Sequence, residues 1–119
     1  MEDQLIAFET AKLAKEKGFN EKTNFAFYYD GTQTWNDPGY DILIARPTQS
    51  LLQKWLREKY RIDITVWIRF DQSYGVLLCK DRNRIGEEII ISVTSKNLGN
   101  NLYELALEQG LYEALKLIK

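Results

Sequence analysis

The sequence predicts a single α+β domain over residues 1–119, with one antiparallel sheet and three helices packed mainly on one face of it. Three segments carry apolar residues at helical spacing, and between them lie segments in which apolar and polar residues alternate. The alternating segments follow one another through short turns, which predicts a sheet made of a hairpin and a three-strand meander. The 119 residues are 45% hydrophobic and 28% charged, as in an ordinary soluble domain.

The first helix is predicted over residues 4–17, where Ala7, Ala11 and Ala14 share one face. Gly18 supplies the left-handed position at which a helix ends. Phe19 follows where a Schellman motif places its hydrophobic contact.

A hairpin is predicted after this helix. Residues 24–29 are aromatic and alternating, Asp30-Gly31 is a strong hairpin-turn signal, and residues 32–35 form the return strand. A further short strand over residues 40–44 is compatible with the pattern.

The second helix is predicted to begin at Pro47-Thr48, with Thr48 as its N-cap. Its apolar stripe consists of Leu51, Leu52, Trp55 and Leu56. The other side carries Ser50, Lys54, Arg57 and Arg61.

The meander has the clearest alternation in the chain. Its first strand carries an aliphatic row made of Ile62, Ile64, Val66, Ile68 and Phe70. We expect this row to face the helices, because a slip of one residue would turn every large aliphatic outward. Residues 74–79 are apolar on both faces and predict a central strand. Residues 80–88 predict a polar turn, and residues 88–94 predict the third strand.

The last helix is predicted over residues 102–118. Asn101 and Glu104 resemble a capping box, with Asn in place of Ser or Thr. Glycine inside a helix costs about 1 kcal/mol relative to alanine. We therefore expect Gly110 to mark close packing of this helix on the sheet.

The residue inventory excludes many catalytic mechanisms. Without histidine, imidazole catalysis and His-containing zinc sites are impossible, and the lone Cys79 cannot form an intrachain disulfide or a redox pair. Cys79 lies in an apolar strand, which is typical of a small core residue. Asp30, Asp37 and Asp41 cluster in a loop-rich segment, but turn chemistry explains the first two. We predict that the protein is not an enzyme and uses no cofactor and no metal.

The expected location is the cytoplasm. The N-terminal residues are acidic and lack the basic start and apolar run of a signal peptide. No apolar stretch approaches the roughly 20 residues that span a bilayer, so we predict no membrane association. A single cysteine fits a reducing compartment.

Three helical segments share a pattern with known proteins. Residues 11–19 read AKLAKEKGF, residues 47–58 read PTQSLLQKWLRE, and residues 106–116 read ALEQGLYEALK. They are similar to the first, central and final helices of small proteins encoded by gut Bacteroidota and their phages, and the central match is the most specific. The resemblance implies a bacterial or phage origin and a cytoplasmic setting. It implies no activity and no site residue.

Positive charge is concentrated in the middle of the chain. Overall, 16 Lys/Arg and 17 Asp/Glu give a net charge of −1, which creates no global attraction to nucleic acid or to an anionic membrane. Residues 46–84, however, carry nine Lys/Arg and four Asp/Glu, a balance of +5. The middle third is therefore basic within a nearly neutral protein.

The candidate binding residues lie in this basic segment. They are Lys54, Arg57, Arg61, Trp67 and Arg69, with further charge from Lys80, Arg82 and Arg84. Trp67 and Arg69 point the same way from their strand, opposite the aliphatic row. A ring beside guanidinium groups can stack on a base and neutralise a phosphate. No known nucleic-acid-binding motif accompanies them, and a solvated face with Glu58 among its counterions is the alternative.

Trp67 also suits association with another protein, because exposed aromatic side chains near arginine are enriched at interfaces. The rings that would join it are Trp35 and some of Tyr28, Tyr29 and Tyr74. The alternative is that these rings complete the core. We predict a non-catalytic interaction domain that binds a protein partner or its own copy, with a homodimer as the commonest closed form. Nucleic-acid binding through the basic segment is the second hypothesis.

Overall fold

The computed structural model describes residues 4–35, 43–69, 73–91 and 102–118, which form three helices and six strands. The helices are α1 (Phe8–Glu16), α2 (Gln49–Tyr60) and α3 (Leu102–Lys116). The strands are β1 (Phe25–Phe27), β2 (Gln33–Trp35), β3 (Ile44–Arg46), β4 (Ile62–Ile68), β5 (Tyr74–Lys80) and β6 (Asn83–Ile91). All the named strands pair antiparallel, which confirms the α+β class.

The strands form two sheets, so the prediction of a single sheet is wrong. The first sheet has the order β2-β1-β3 and the second has the order β4-β5-β6. The predicted hairpin and meander are both present, but they do not join. On the β4 side of the second sheet, Gln53 Nε2 of α2 donates a hydrogen bond to the carbonyl oxygen of Ile64 (3.0 Å), so this carbonyl already has a donor from a helix.

The hairpin turn of the first sheet lies where the sequence predicts it. The backbone N–H of Gly31 donates to the carbonyl of Tyr28 (2.9 Å), and the N–H of Tyr28 donates to the carbonyl of Thr32 (2.9 Å). The further short strand of the prediction is present as β3, which begins at Ile44, and residues 40–42 of the predicted range lie outside the described residues.

α1 begins four residues later than predicted, because the preceding residues are extended and bonded to the segment that leads into α2. The N–H of Ile6 donates to the carbonyl of Pro47 (3.1 Å), and the N–H of Gln49 donates to the carbonyl of Gln4 (2.7 Å). These bonds fasten the first described residues to the start of α2.

The predicted signals at the end of α1 and the start of α2 are confirmed. Gly18 has φ +96°, and the N–H of Phe19 donates to the carbonyl of Ala14 (2.9 Å), as in a Schellman motif. At α2, the Thr48 hydroxyl accepts a hydrogen bond from the N–H of Leu51 (3.2 Å).

β5 is the central strand of the second sheet, as predicted, but β6 begins at Asn83 instead of residue 88. The polar run predicted as a long turn contains a two-residue turn, Asp81-Arg82, with φ +52° and +70°. Turns of this kind favour Asn, Asp or Gly; Asp81 fits the first position, but Arg82 stands where Gly is usual, so the sequence carries only half of the signal.

The core lies between α3 and the inner face of the second sheet, with α1 and α2 packed beside α3. A Cβ on Gly110 would lie 2.8 Å from Val76 Cγ1 and 2.9 Å from Ile64 Cγ2, which confirms the close packing predicted there. The aliphatic row of β4 faces this core at Ile62 and Ile64, whereas Ile68 is largely exposed. Predictions for Asp37, Asp41, Phe70, Asn101 and residues 92–94 lie outside the described residues.

Candidate functional site

The second sheet has one face turned away from the core, here called the open face. Trp67, Gly75 and Ile90 pair directly across its three strands on the side opposite Ile64 and Val76. Leu77, Cys79, Asp63, Thr65, Arg84 and Glu88 complete the open face. Within the described part of the chain, α3 covers only the inner face and α2 lies along the β4 side.

Trp67 lies over Gly75 at the centre of one end of the open face. A Cβ on Gly75 would lie 2.6 Å from Trp67 Nε1 and would overlap the carboxylate of Glu88. The absence of a side chain at this position therefore lets the indole and the carboxylate lie close to the sheet. In this arrangement Trp67 is 40% exposed.

Arg69 is held beside this indole by an ion pair. Its Nη1 lies 2.8 Å from Glu88 Oε1, and its guanidinium carbon lies 5.8 Å from the centre of the Trp67 ring. Both charged side chains are mostly buried, and Arg69 Nε has no hydrogen-bond partner among the described residues. The charge of Arg69 is thus compensated within the molecule.

The open face is apolar at its centre and electrically balanced around it. Ile90 is 50% exposed, and Leu77 and Cys79 are half-buried. The charged members of the face are Asp63, Arg69, Arg84 and Glu88, two of each sign. This composition suits a protein surface better than a polyanion.

Positive charge collects instead at the opposite end of the sheet, where α2 ends and the β5–β6 turn lies. The basic end consists of Arg57, Arg61, Lys80, Arg82 and Arg84. The N–H of Arg61 donates to the carbonyl of Arg57 (3.1 Å), and the N–H of Asp81 donates to the carbonyl of Arg61 (3.1 Å). These bonds join the end of α2 to the turn.

The five predicted binding residues therefore fall into two groups. Lys54, Arg57 and Arg61 lie on and just after α2, whereas Trp67 and Arg69 lie at the far end of β4. With a rise of about 3.3 Å per residue, Arg61 and Trp67 are separated by about 20 Å along the strand. The predicted pairing of Trp67 with Arg69 is present, but the helix cations do not join it.

Two of the other predicted rings, Trp35 and Tyr74, do not join Trp67 on the open face. Trp35 is in the first sheet, stacked on Phe25 with ring centres 4.8 Å apart and planes inclined by 24°. Tyr74 pairs with Ile68 on the opposite side of β4–β5 and makes an edge contact with Tyr103 at 6.1 Å. The prediction of a shared aromatic patch is therefore wrong for Trp35, because Trp35 lies in the other sheet. It is wrong for Tyr74 because side chains alternate between the two faces of a strand, which places Tyr74 on the face opposite Trp67.

Sequence reasoning did not identify Gly75, Glu88 and Ile90 as site residues. Ile90 alternates with Ile89 and Ile91, so the period of the strand already places it on the opposite face. Glu88 approaches Gly75 from β6, close to the register shift in the β5–β6 pair, and the sequence carries no signal for this contact.

The described residues contain no group of three or more His, Cys, Asp or Glu side chains that could hold a metal ion. Asp30 has the turn role expected of it: its Oδ1 accepts a hydrogen bond from the N–H of Thr32 (2.9 Å), which lowers the pKa of the carboxyl. Among the described helices, none is both long and apolar enough to cross a lipid bilayer.

Comparison with protein-family models, curated proteins and solved structures gives no match for this chain. The resemblance of its helical segments to small Bacteroidota proteins stays a prediction.

Proposed function

We propose that this protein is a non-catalytic interaction domain that binds a second copy of itself through the open face. The observation that carries the proposal is the placement of Trp67 and Ile90, two large and substantially exposed apolar side chains, on either side of Gly75 in the same row of the sheet. Large apolar groups grouped on a face that no described helix covers are typical of interaction sites.

The surroundings of Trp67 support a role as a binding anchor. Gly75 beneath the indole and the Arg69–Glu88 pair beside it limit the positions that the ring can adopt. A side chain that is already ordered loses less conformational entropy when a partner covers it. Tryptophan is also among the residues that contribute most to binding energy at interfaces.

Charge balance favours a second copy as the occupant. The open face carries two acidic side chains, Asp63 and Glu88, and two basic ones. Its net charge is therefore zero, and two copies of this face can meet without net repulsion. Two sheets pack face to face about 10 Å apart, with apolar side chains interdigitating between them. A twofold contact of this kind is closed and self-limiting.

The size of the face predicts a weak dimer. Seven residues at about 3.3 Å and three strands at about 4.8 Å give a rectangle of roughly 330 Å². A standard interface covers about 800 Å² of accessible surface on each partner, so this face alone is small. We therefore expect dissociation in the micromolar range or weaker, and a mass that depends on concentration.

Sedimentation velocity from micromolar to millimolar protein tests the proposal. The wild-type chain should shift from monomer toward dimer, and Trp67→Ser should remain monomeric over the same range. Trp35→Ser is the matched control, because Trp35 is 72% exposed but lies in the first sheet, and it should dimerise like the wild type. A strictly monomeric wild-type chain at millimolar concentration would overturn self-association and leave a different protein as the occupant of the open face.

A further inference from the structure

Positive charge is concentrated at the basic end, which shares Arg84 with the open face. Residues 57–63 and 79–84 carry six Lys/Arg and three Asp/Glu, a balance of +3, whereas the rest of the chain carries ten and fourteen, a balance of −4. Positive charge is therefore concentrated in these two segments, although the net charge of the chain is −1. We propose that the basic end is a second binding site, which contacts the phosphate backbone of double-stranded nucleic acid without reading its sequence.

The cations of this end are available to a ligand. Lys80, Arg82, Arg84 and Arg57 are exposed, and within the described residues none of them forms an ion pair. Arg61 faces Asp81 at 3.6 Å, but both side chains are more than half exposed, and such surface pairs are weak and easily exchanged.

The backbone presents these cations from an unusual conformation. Arg61, Asp81 and Arg82 all have positive φ, at +57°, +52° and +70°. Arg61 adopts this conformation as the C-cap of α2, and Asp81 and Arg82 adopt it as the two turn residues between β5 and β6. Two of these three residues are arginines. A glycine at either position would remove the backbone strain but would also remove the positive charge.

The strand register spreads the cations around the tip of the hairpin. Lys80 pairs with Asn83 and Cys79 pairs with Arg84, so Lys80 and Arg84 project to opposite faces of adjacent strands. Arg82 lies between them in the turn. Strands are about 4.8 Å apart, so the three side chains can reach neighbouring phosphates on a convex edge.

The chemistry of the basic end favours a nucleic-acid backbone. Four of its five cations are arginines, whose planar guanidinium groups bind phosphate oxygens in pairs. The exposed Trp67 lies about 20 Å away along β4, too far to stack on a base held at the tip. Residues 80–84 contain no apolar side chain to insert into a lipid surface. The site is therefore suited to a duplex, whose bases are already stacked.

Fluorescence anisotropy with a labelled DNA duplex of random sequence at low salt tests this site. If four or five phosphates are contacted, the logarithm of the binding constant should fall against the logarithm of salt with a slope of about −4. Arg82→Gln/Arg84→Gln should weaken binding at least tenfold and reduce the slope by about 2. Lys12→Gln/Lys22→Gln makes the same charge change at exposed positions of the first 35 residues and should leave binding almost unchanged.

A gain-of-function variant separates this site from general charge effects. Asp81→Asn removes the acid at the tip while keeping a residue that tolerates the left-handed conformation, so it should tighten duplex binding several-fold. Trp67→Ser should bind the duplex like the wild type, whether or not the open face forms a dimer. Four results would each overturn the proposal: no binding at low salt, equal loss in the Lys12/Lys22 control, no gain from Asp81→Asn, or binding to phosphatidylserine vesicles that excess duplex cannot displace.

Discussion

The Glu108 carboxylate of α3 accepts a hydrogen bond from the backbone N–H of Ala7, the residue that precedes α1, at 3.1 Å. The same oxygen accepts from the hydroxyl of Thr10, and the other oxygen accepts from the Gln49 amide of α2 (3.2 Å). No side chain of α1 caps its own N-terminus. A residue from another helix thus takes the role that the acidic member of a capping box normally has, and one carboxylate connects all three helices.

Replacing Glu108 should therefore destabilise the fold more than a usual surface change. Glu108→Ala removes the acceptor of the buried Thr10 hydroxyl and one of two acceptors of the Gln49 amide, which keeps its bond to the Glu104 carbonyl (2.9 Å). We expect a loss of about 2 kcal/mol in the free energy of unfolding. Glu108→Gln keeps an acceptor and should lose less. Urea denaturation followed by circular dichroism measures both values.

The control for this prediction is Glu113→Gln on the same helix. Glu113 pairs with the exposed Lys116 at 3.1 Å, so its loss should change stability by less than about 0.5 kcal/mol. If Glu108→Gln and Glu113→Gln changed the free energy of unfolding equally, the hydrogen bonds of Glu108 to the other two helices would contribute no more to stability than an exposed ion pair.

Gly75→Ala should disturb the open face without entering the core. The new methyl group would overlap the Glu88 carboxylate and approach Trp67, so the Arg69–Glu88 pair must open. We expect a loss of about 1–3 kcal/mol. In the Glu88→Ala background the same substitution should have a smaller effect, because the overlapping carboxylate is gone.

A thermal-unfolding cycle of the four proteins measures this coupling. Additive effects of Gly75→Ala and Glu88→Ala would contradict the close approach of the carboxylate to the sheet.

Signals that depend on adjacent residues could be predicted from the sequence. The turn after α1 follows from Gly18-Phe19, the start of α2 follows from Thr48, and the side of β4 on which Trp67 lies follows from alternation. In each case the physical cause lies within a few residues of the chain, so the pattern alone contains it.

Features that depend on contacts between distant segments could not be predicted. The separation of the two sheets depends on which strands pair, and the compensation of Arg69 requires Glu88 to arrive from another strand. The division of the binding residues into two groups could have been predicted once β4 was assigned, because a strand rises about 3.3 Å per residue and so places Arg61 and Trp67 about 20 Å apart. Whether Arg69 is free or paired required the structure.

The hairpin turn of the first sheet should weaken in acid. The hydrogen bond from the Thr32 N–H lowers the pKa of Asp30 in the folded chain. A lowered pKa means that this contribution to stability is present above the unfolded-state pKa and is lost as the pH falls through the folded value. Asp30→Asn keeps an oxygen acceptor but carries no charge, so its stability should depend less steeply on pH on the acid side. Parallel pH profiles of unfolding for the two proteins would contradict this role.

Gly110→Ala has two opposite effects on stability: alanine raises the helix propensity of α3, but its methyl group overpacks the core. The cost of overpacking is the larger of the two. Alanine should stabilise α3 by about 1 kcal/mol on propensity alone. Its Cβ, however, would lie within 3 Å of methyl groups on Val76 and Ile64, where neighbours in a buried sheet cannot move far, and overpacking of this kind costs about 1–3 kcal/mol. We expect a net loss of stability in urea denaturation. The loss should diminish when Val76→Ala provides room, and a more stable Gly110→Ala protein would show that α3 can move away from the sheet.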